Sequence, residues 1–280
     1  KTNLKKLNIE NDIEHVQLNL TNQFEIEKII EHYQPNIIYN LSAQSSVGLS
    51  FNQPQETFLS ISYATQNLLE ACRKIEFRGT IFFAGSSEMY GNCKKRININ
   101  DPKSPSSPYA IAKLNSFNIV QIYRKLFHIN CITGILFNHE SRLRTENFVI
   151  PKIIKSAVLS SKDKNYQTSI GNIKIQRDWG WAEEYVDAIE LIANKSAGKD
   201  YLICTGKVHS LEDIIEKAFK AFNLDWREHL KINQKLFREQ DINTSYGNPL
   251  DLYEDLGWKS KLSIDQIIEK LIQKYESAKY

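Results

Sequence analysis

Apolar runs too short for helices alternate with helical patterns through the first half of the chain. The runs at 36–41, 80–85 and 130–137 are almost continuously apolar, and the apolar spacing of 60–73 and 109–127 is typical of helices. Apolar strands of this kind need cover on both faces, as in a parallel sheet with helices on either side. The alternation therefore predicts a doubly wound, Rossmann-like α/β domain over residues 1–140.

The remaining sequence predicts further elements on either side of that alternation. Residues 15–20 predict a short strand and 23–33 a helix, with Asn22 as its N-cap and Pro35 as its stop. The pattern is looser in the second half, and we interpret residues 141–280 as mainly a smaller α/β lobe for the substrate, interleaved with the first domain. Within it, we predict a loop at 171–180 and helices at 147–159, 183–195, 211–222 and 264–278.

The glycine-rich turn of a dinucleotide-binding fold is missing from the sequence. Such folds normally begin with a strand, a glycine-rich turn and a helix that together hold the pyrophosphate, but neither GxGxxG nor GxxGxxG occurs here. The predicted sheet therefore lacks its first strand and its Gly-rich loop. Either the leading segment is absent from this chain, or a dinucleotide is not bound in the usual way. We favour the first explanation, because a sheet without its central first strand would expose apolar neighbours and unpaired backbone groups.

Composition argues against several functional classes. The 280 residues carry a net charge of only +3 with dispersed basic residues, which is not typical of a protein that binds nucleic acid. No apolar run approaches the roughly 20 residues of a membrane span. The four cysteines are far apart and form no CxxC pair, so neither a zinc site nor a disulfide framework is indicated. We therefore predict a cytoplasmic protein that uses no metal.

Four side chains predict an acid–base cluster. Tyr109 and Lys113 are four residues apart and share a helix face, so the ammonium should lower the pKa of the phenol toward neutrality. Ser86 and Glu88 follow the predicted strand 80–85, at the carboxyl end where ligands bind in such sheets. Together these groups could move the protons of a sugar hydroxyl. Taken singly, the YxxxK spacing also occurs on solvated helix faces, and Ser86 with Glu88 also suits a turn with a surface charge.

These residues stand within longer stretches that resemble one family. The SxE after a strand and the later SPYxxxK are similar to extended short-chain dehydrogenase/reductases of the sugar-nucleotide branch. GILFNHES at 134–141 and RDWG at 177–180 resemble the GDP-mannose 4,6-dehydratase family specifically. Further similar segments extend the match over nearly the whole chain: NLSAQS at 40–45, TGKVHS at 205–210, GNP at 247–249 and LGW at 256–258.

The resemblance implies a redox cycle on the hexose of a GDP-sugar, with NADP recycled. Tyr109 would take the C4 hydroxyl proton as hydride leaves C4, and Ser86, at a position where the family usually has Thr, would bind the C4 oxygen. Glu88 would then remove the C5 proton and help expel the C6 hydroxyl as water, before hydride returns to C6. Lys113 would also bind the ribose of the cofactor.

The resemblance also assigns residues to the cofactor and to the substrate. Besides Tyr109 and Lys113, the cofactor contacts that it implies are Asn19 (Asp in the family), Leu20, Leu41, Ser42, Ala43, Gln44, Ser45, His139 and Arg144. The implied contacts to the GDP-sugar are Ser87, Asn138, Lys152, Arg177 and Arg238. Arginine suits a diphosphate because its planar fork donates two hydrogen bonds at once.

Departures from the family pattern lie mainly on the substrate side. The family's FVTRK is FVIPK at 148–152, its TGEVHS has Lys207 in place of Glu, and Glu239 stands where the family has Pro. We interpret these changes as an altered sugar, such as a GDP-heptose. The resemblance further implies a homodimer or homotetramer that acts in bacterial surface-polysaccharide synthesis.

Two other functions remain to be weighed. One is a sugar-nucleotide epimerase or reductase on the same fold, and Glu88 beside Ser86 argues against it, because an epimerase needs no such carboxylate. The other is a non-catalytic relative, for which the missing Gly-rich loop is the only support. The retained serine, glutamate, tyrosine and lysine argue against that second alternative.

Overall fold

The computed structural model describes residues 2–195, 198–237 and 240–277. The strands are β1 (Ile37–Asn40), β2 (Thr80–Ser86), β3 (Cys131–Leu136), β4 (Asn138–Glu140), β5 (Thr168–Ile170), β6 (Gln176–Arg177), β7 (Trp179–Trp181), β8 (Tyr201–Ile203), β9 (His209–Ser210), β10 (Leu230–Ile232) and β11 (Thr244–Ser245). The helices are α1 (Thr2–Leu7), α2 (Gln23–Tyr33), α3 (Val47–Asn52), α4 (Pro54–Phe58), α5 (Ala64–Lys74), α6 (Pro108–Phe127), α7 (Val149–Lys162), α8 (Ala182–Lys195), α9 (Leu211–Lys220), α10 (Leu250–Leu256) and α11 (Ile264–Ser277).

The main sheet is parallel and has the order β1-β2-β3-β8 among the described residues. Side chains alternate between its two faces, so the consecutive Phe82 and Phe83 enter different cores. Phe83 packs with α2, α5 and α6, whereas Phe82 packs with α8 and α10. Helices on both faces of a parallel sheet confirm the predicted doubly wound α/β fold.

A second core lies among α7, α9 and α11. Ile154, Phe219 and Leu271 represent these three helices in it, and Trp179 and Trp181 join them from β7. The small sheets β5–β10, β4–β7 and β11–β6–β9 pair segments that are distant in the sequence. Strand β8 joins the main sheet although it lies in the second half of the chain. The predicted domain boundary at residue 140 stays a prediction.

The predicted helices of the first half are confirmed, with one extended toward its N-terminus. Helix α2 has the predicted bounds, and the Asn22 side chain caps it by accepting a hydrogen bond from the Glu25 backbone amide. The helix predicted at 60–73 begins earlier, at Pro54, because α4 continues through a π-helical turn at Leu59–Tyr63 into α5. Proline suits the first turn of a helix, where its missing N–H has no partner to lose.

Two predictions about irregular segments were wrong. Residues 15–20 form no strand, because a strand needs a hydrogen-bonded neighbour; instead Leu18 and Leu20 pack against the core of α2 and α5. The predicted loop at 171–180 contains β6 and β7, which pair with β11, β9 and β4. The sequence pattern also missed α1, α3 and α10, which are all short.

Membrane and metal features were searched over the described ranges. Within them, no helix combines the length and apolar character of a membrane span. The same ranges hold no group of three or more His, Cys, Asp or Glu side chains arranged to bind a metal ion.

Candidate active site

The carboxyl end of β2 turns sharply to present Glu88. Ser86 is the last residue of the strand, and its hydroxyl accepts a hydrogen bond of 3.3 Å from the Glu88 amide at the start of a 3-10 turn, Ser87–Tyr90. Gly91 ends that turn with φ of +67°, and a Cβ there would lie 2.1 Å from the Ser104 carbonyl oxygen. Only glycine fits this position without strain, so the turn that carries Glu88 needs a glycine at its end.

Helix α6 brings the phenol of Tyr109 to Ser86. The Ser107 side chain caps the helix by accepting from the Ala110 amide at 3.1 Å, and Pro108 occupies the first turn. Tyr109 is therefore in the first turn and buried, where the Ser86 side chain acts on its phenol. The charge of Glu88 also acts on the phenol, so these three side chains form one cluster.

Burial dominates the titration of Tyr109. It raises the pKa of the phenol to about 12, although the Ser86 hydrogen bond and the positive charge of Arg144 both lower that pKa. The prediction that the neighbouring lysine brings the pKa of Tyr109 toward neutrality was wrong. The reason is geometric: the amine of Lys113 lies 5.9 Å from the centre of the Tyr109 ring and donates elsewhere.

Lys113 is buried one helical turn after Tyr109. Its Nζ donates a hydrogen bond of 2.8 Å to the Ala84 carbonyl on β2 and lies 5.1 Å from the centre of the Phe83 ring. Burial lowers the pKa of this amine to about 8, because the charged form is poorly solvated. Lys113 therefore links α6 to the carboxyl end of β2. Its pKa of about 8 means that the ammonium loses its proton close to neutral pH.

The segment after β1, at 41–45, reaches the same region. Ala43 packs against the small core of Ile61, Tyr109 and Ala112, and its φ of +113° is unusual for a residue with a Cβ. Gln44 is held in place, since its amide donates to the Thr57 hydroxyl at 2.9 Å. Of the other predicted cofactor contacts in this segment, Ser42 donates to Asn40 at 2.6 Å, and Leu41 and Ser45 are exposed.

His139 and Arg144 follow β3 in the chain and are in contact with each other. The His139 ring contacts the Phe137 carbonyl through Nδ1 at 2.8 Å, and burial lowers the pKa of the imidazole to about 4. The Arg144 guanidinium donates to the His139 carbonyl and lies 3.3 Å from a carboxylate oxygen of Glu140. The Arg144 charge also acts on Tyr109, which connects this pair to the cluster at β2.

The other predicted residues are placed differently. Asn19 is exposed before α2, where its side-chain oxygen accepts from the amide and the hydroxyl of Thr21, and Leu20 accepts from Asn67 through its carbonyl. Ser87 is buried in the 3-10 turn, and Asn138 is on β4. Lys152 donates to the Ser169 carbonyl at 2.6 Å.

Arg177, on β6, is held by protein groups. It is buried, donates to the carbonyls of Gln176 and Asn243, and lies 3.5 Å from Asp241. Arg238 lies outside the described residues. The structure thus places Ser86, Glu88 and Tyr109 at the carboxyl end of β2, where the charge of Arg144 also acts on the phenol. Lys152 instead contacts Ser169, and Arg177 contacts Asn243 and Asp241.

Two buried carboxylates were missed although both stand inside recognised motifs. Asp178 in RDWG accepts hydrogen bonds from Thr205 (amide and hydroxyl) and from the amides of Gly206 and Gly247, and burial raises its pKa to about 6. It ties together the TGKVHS and GNP segments. Glu140 in GILFNHES is buried beside Arg144. A charged residue within an otherwise matched motif is the signal that could have identified both.

Comparison with known proteins gives one consistent family. The family model described as GDP-mannose 4,6 dehydratase matches residues 1–271. GDP-mannose 4,6 dehydratase 2 of Arabidopsis thaliana is 32% identical over 257 residues, which are 90% of this chain and 69% of that protein. That of Drosophila melanogaster is 33% identical over 275 residues, covering 91% of this chain and 69% of the relative.

A solved structure supports the fold. RMD from Pseudomonas aeruginosa, complexed with NADPH, superposes with a TM-score of 0.84 at 21% identity, over 98% of this chain and 95% of that one. The family model and the two relatives together go further than the fold, because they match the sequence over most of its length. This chain belongs to the GDP-mannose 4,6-dehydratase family.

Proposed function

We propose that this protein converts a GDP-hexose to the GDP-4-keto-6-deoxyhexose, with NADP reduced and reoxidised within each turnover. The observation that carries the proposal is the cluster of Ser86, Glu88 and Tyr109 at the carboxyl end of β2. A dehydrogenase or an epimerase has use for a phenol and a hydroxyl, but loss of water from C5 and C6 also needs a carboxylate. Glu88 supplies it beside the phenol.

The residues around the cluster fit a nicotinamide dinucleotide. Lys113 and the segment at 41–45 line the carboxyl ends of β2 and β1, which is where dinucleotides bind in doubly wound sheets. Arg144 offers a cation for an anionic group of the dinucleotide. When bound, NADP supplies a hydride acceptor and later a hydride donor. We assign NADP rather than NAD on the family resemblance and on the NADPH carried by RMD.

Two side chains of this protein then carry out the proton transfers. Tyr109 takes the proton of the C4 hydroxyl, and both Ser86 and Arg144 stabilise the phenolate that this requires. The 4-keto group acidifies the C5 proton, which Glu88 removes. Glu88 then delivers this proton to the departing C6 hydroxyl, which leaves as water. C5 finally regains a proton, which balances the one that Tyr109 took from the C4 hydroxyl. The Ser86 hydroxyl remains within reach of the C4 oxygen throughout.

The product mass and the cofactor balance test this proposal together. With GDP-mannose and a catalytic amount of NADP, we expect a product lighter by one water and no net NADPH, and weaker activity with NAD. Conversion of all the added NADP to NADPH, with no further turnover, would instead indicate a dehydrogenase, and a product of unchanged mass would indicate an epimerase. A parallel assay with a GDP-heptose tests the altered-sugar hypothesis, since pocket size changes discrimination by only about 1–3 kcal/mol per methylene.

We also propose that the protein is a homodimer or homotetramer in the cytoplasm. Two neighbouring helices expose apolar side chains: Phe58 of α4, with Leu59 and Tyr63 of the π-helical turn, and Ile111 and Ile122 of α6. A patch of this kind on paired helices is typical of a subunit interface. The four cysteines are free, which accords with a reducing compartment.

Sedimentation tests the proposed interface. We expect the wild-type protein to sediment as an oligomer and the variant Phe58→Glu/Ile111→Glu to sediment as a monomer, because burying the introduced carboxylates would be costly. Phe24→Glu, at a more exposed position on α2, is the control and should leave the mass unchanged. A monomeric wild-type protein would contradict the proposal.

A further inference from the structure

Glu140 is a buried carboxyl group with an incomplete set of partners. It ends β4 opposite Trp181 of β7 and is 2% exposed. Its Oε1 lies 3.3 Å from Nη1 of Arg144, whereas Oε2 has no hydrogen-bond partner among the described residues. A carboxylate in this environment is costly to keep, so a role in stability does not explain it.

The group that Glu140 contacts is fixed from several sides. The Arg144 guanidinium donates to the His139 carbonyl and stacks 3.9 Å from the centre of the Phe148 ring. The Arg144 carbonyl in turn accepts a hydrogen bond of 2.9 Å from Nζ of Lys274 on α11. Both the side chain and the backbone of this arginine are therefore held, and its charge acts on the phenol of Tyr109.

The charged groups that face Glu140 come from two elements. Arg144 approaches from the loop after β4, and Lys274 acts on the carboxyl from α11. Lys274 itself interacts with Lys6 of α1 and with Glu146 of the loop. Despite the two cations, burial raises the pKa of Glu140 from 4.5 to about 7. The ion pair with Arg144 is therefore strongest above neutral pH.

We propose that Glu140 is a positioning residue, which holds the Arg144 guanidinium in the orientation that binds an anionic group of the dinucleotide. The proposal rests on the proposed function for the dinucleotide and for the contact of Arg144 with it. Because Glu140 is 2% exposed, this role requires no contact of its own with the hexose or the cofactor. It acts through Arg144, in the way that an outer carboxylate orients a directly binding residue.

A double-mutant cycle on NADP affinity tests this role. We expect Arg144→Ala to weaken the Kd for NADP by roughly tenfold to a hundredfold, as for a lost hydrogen bond to a charged group. Glu140→Gln should weaken it by about tenfold, because the amide no longer attracts the guanidinium. The double variant should bind no more weakly than Arg144→Ala alone. Calorimetry with NADP and the whole protein measures all four values without turnover.

Asp200→Asn is the matched control. Asp200 and Arg124 form a second ion pair with similar exposure of both side chains, 6% and 23%, compared with 3% and 23% for Glu140 and Arg144. Arg124 is fifteen residues after Tyr109 on α6, which places it about 22 Å away along the helix axis. We expect Asp200→Asn to lower stability and to leave the Kd for NADP unchanged.

The pH dependence of stability provides a second readout. Because the folded pKa of Glu140 is raised, ionisation costs stability as pH rises from about 4.5 to about 7. Glu140→Gln removes that cost. The melting temperature of the variant, relative to that of the wild type, should therefore increase as pH rises from about 4.5 to about 7, and this difference should stay constant at higher pH. His139, whose pKa is lowered to about 4, increases stability as pH rises through part of the same range, but this contribution is the same in the variant and in the wild type.

Several results would overturn the positioning role. Additive losses of NADP affinity in the double variant would show that Glu140 does not act through Arg144. An equal loss of NADP affinity in Asp200→Asn would show that the effect is a general loss of stability. A melting temperature of Glu140→Gln below that of the wild type above pH 7 would show the same. A wild-type protein that binds no NADP would also contradict the positioning role. If NADP binds but no GDP-hexose is dehydrated, the proposed function fails and the cycle still decides this inference.

Discussion

Glu88→Gln should lower the rate of dehydration by about 10³-fold while hydride transfer from C4 continues. The amide has the shape of the carboxylate but cannot take the C5 proton or pass a proton to the departing C6 hydroxyl. The turnover should therefore stop at the 4-keto sugar with NADP reduced. Stopped-flow absorbance of NADPH, combined with the mass of the product, separates the two steps.

A control carboxylate distinguishes this chemistry from a general loss of charge. Glu27 on α2 is half-buried like Glu88 and pairs with Lys74 at 3.5 Å. Glu27→Gln should leave both hydride transfer and dehydration near their wild-type rates. If Glu88→Gln instead slows hydride transfer as much as water loss, the carboxylate acts on binding and not on the C5 proton.

Tyr109→Phe should slow the first hydride transfer by about 10²–10⁴-fold, and with it every later step. Phenylalanine keeps the buried ring but removes the oxygen that receives the C4 hydroxyl proton. Single-turnover absorbance of NADPH measures this step. Since the pKa of Tyr109 is about 12, the wild-type rate of this step should rise toward alkaline pH as the phenolate fraction increases, and the variant should lose that rise.

Tyr123→Phe is the control on the same helix. Its phenol donates to Glu70 at 3.0 Å, three to four turns away from the cluster. We expect a small change in stability and none in hydride transfer. Comparable rates in Tyr109→Phe and the wild type would refute the assignment of Tyr109 as the base.

The convergence of the candidate catalytic residues could be predicted because a topological rule applies to it. Ser86 and Glu88 follow a strand that its apolar residues reveal, and Tyr109 begins a helix that Ser107 and Pro108 mark in the sequence. Ligands bind at the carboxyl ends of parallel strands, so the convergence of these residues follows from local patterns. In the structure, α6 is joined to β2 by the hydrogen bond from Lys113 to Ala84, and the Glu88 amide bonds Ser86 at the end of that strand.

The electrostatics of the same residues could not be predicted. The spacing of Tyr109 and Lys113 suggested a lowered phenol pKa, but the pKa depends on which atom the amine reaches and on the depth of burial. Both were decided by the packing of α6 on β2, where Lys113 finds the Ala84 carbonyl. Glu140 was overlooked for the same reason, since its burial depends on β7 and α11.

The sequence by itself determined the alternation of strands and helices, the parallel sheet and the family, because apolar periodicity and motif residues act locally along the chain. The tertiary structure alone decided the pairings of β6 and β7, the lack of a strand at 15–20 and the ion pair of Glu140 with Arg144. Hydrogen-bonded ladders and burial join segments far apart in the sequence, and no local pattern encodes which segments meet.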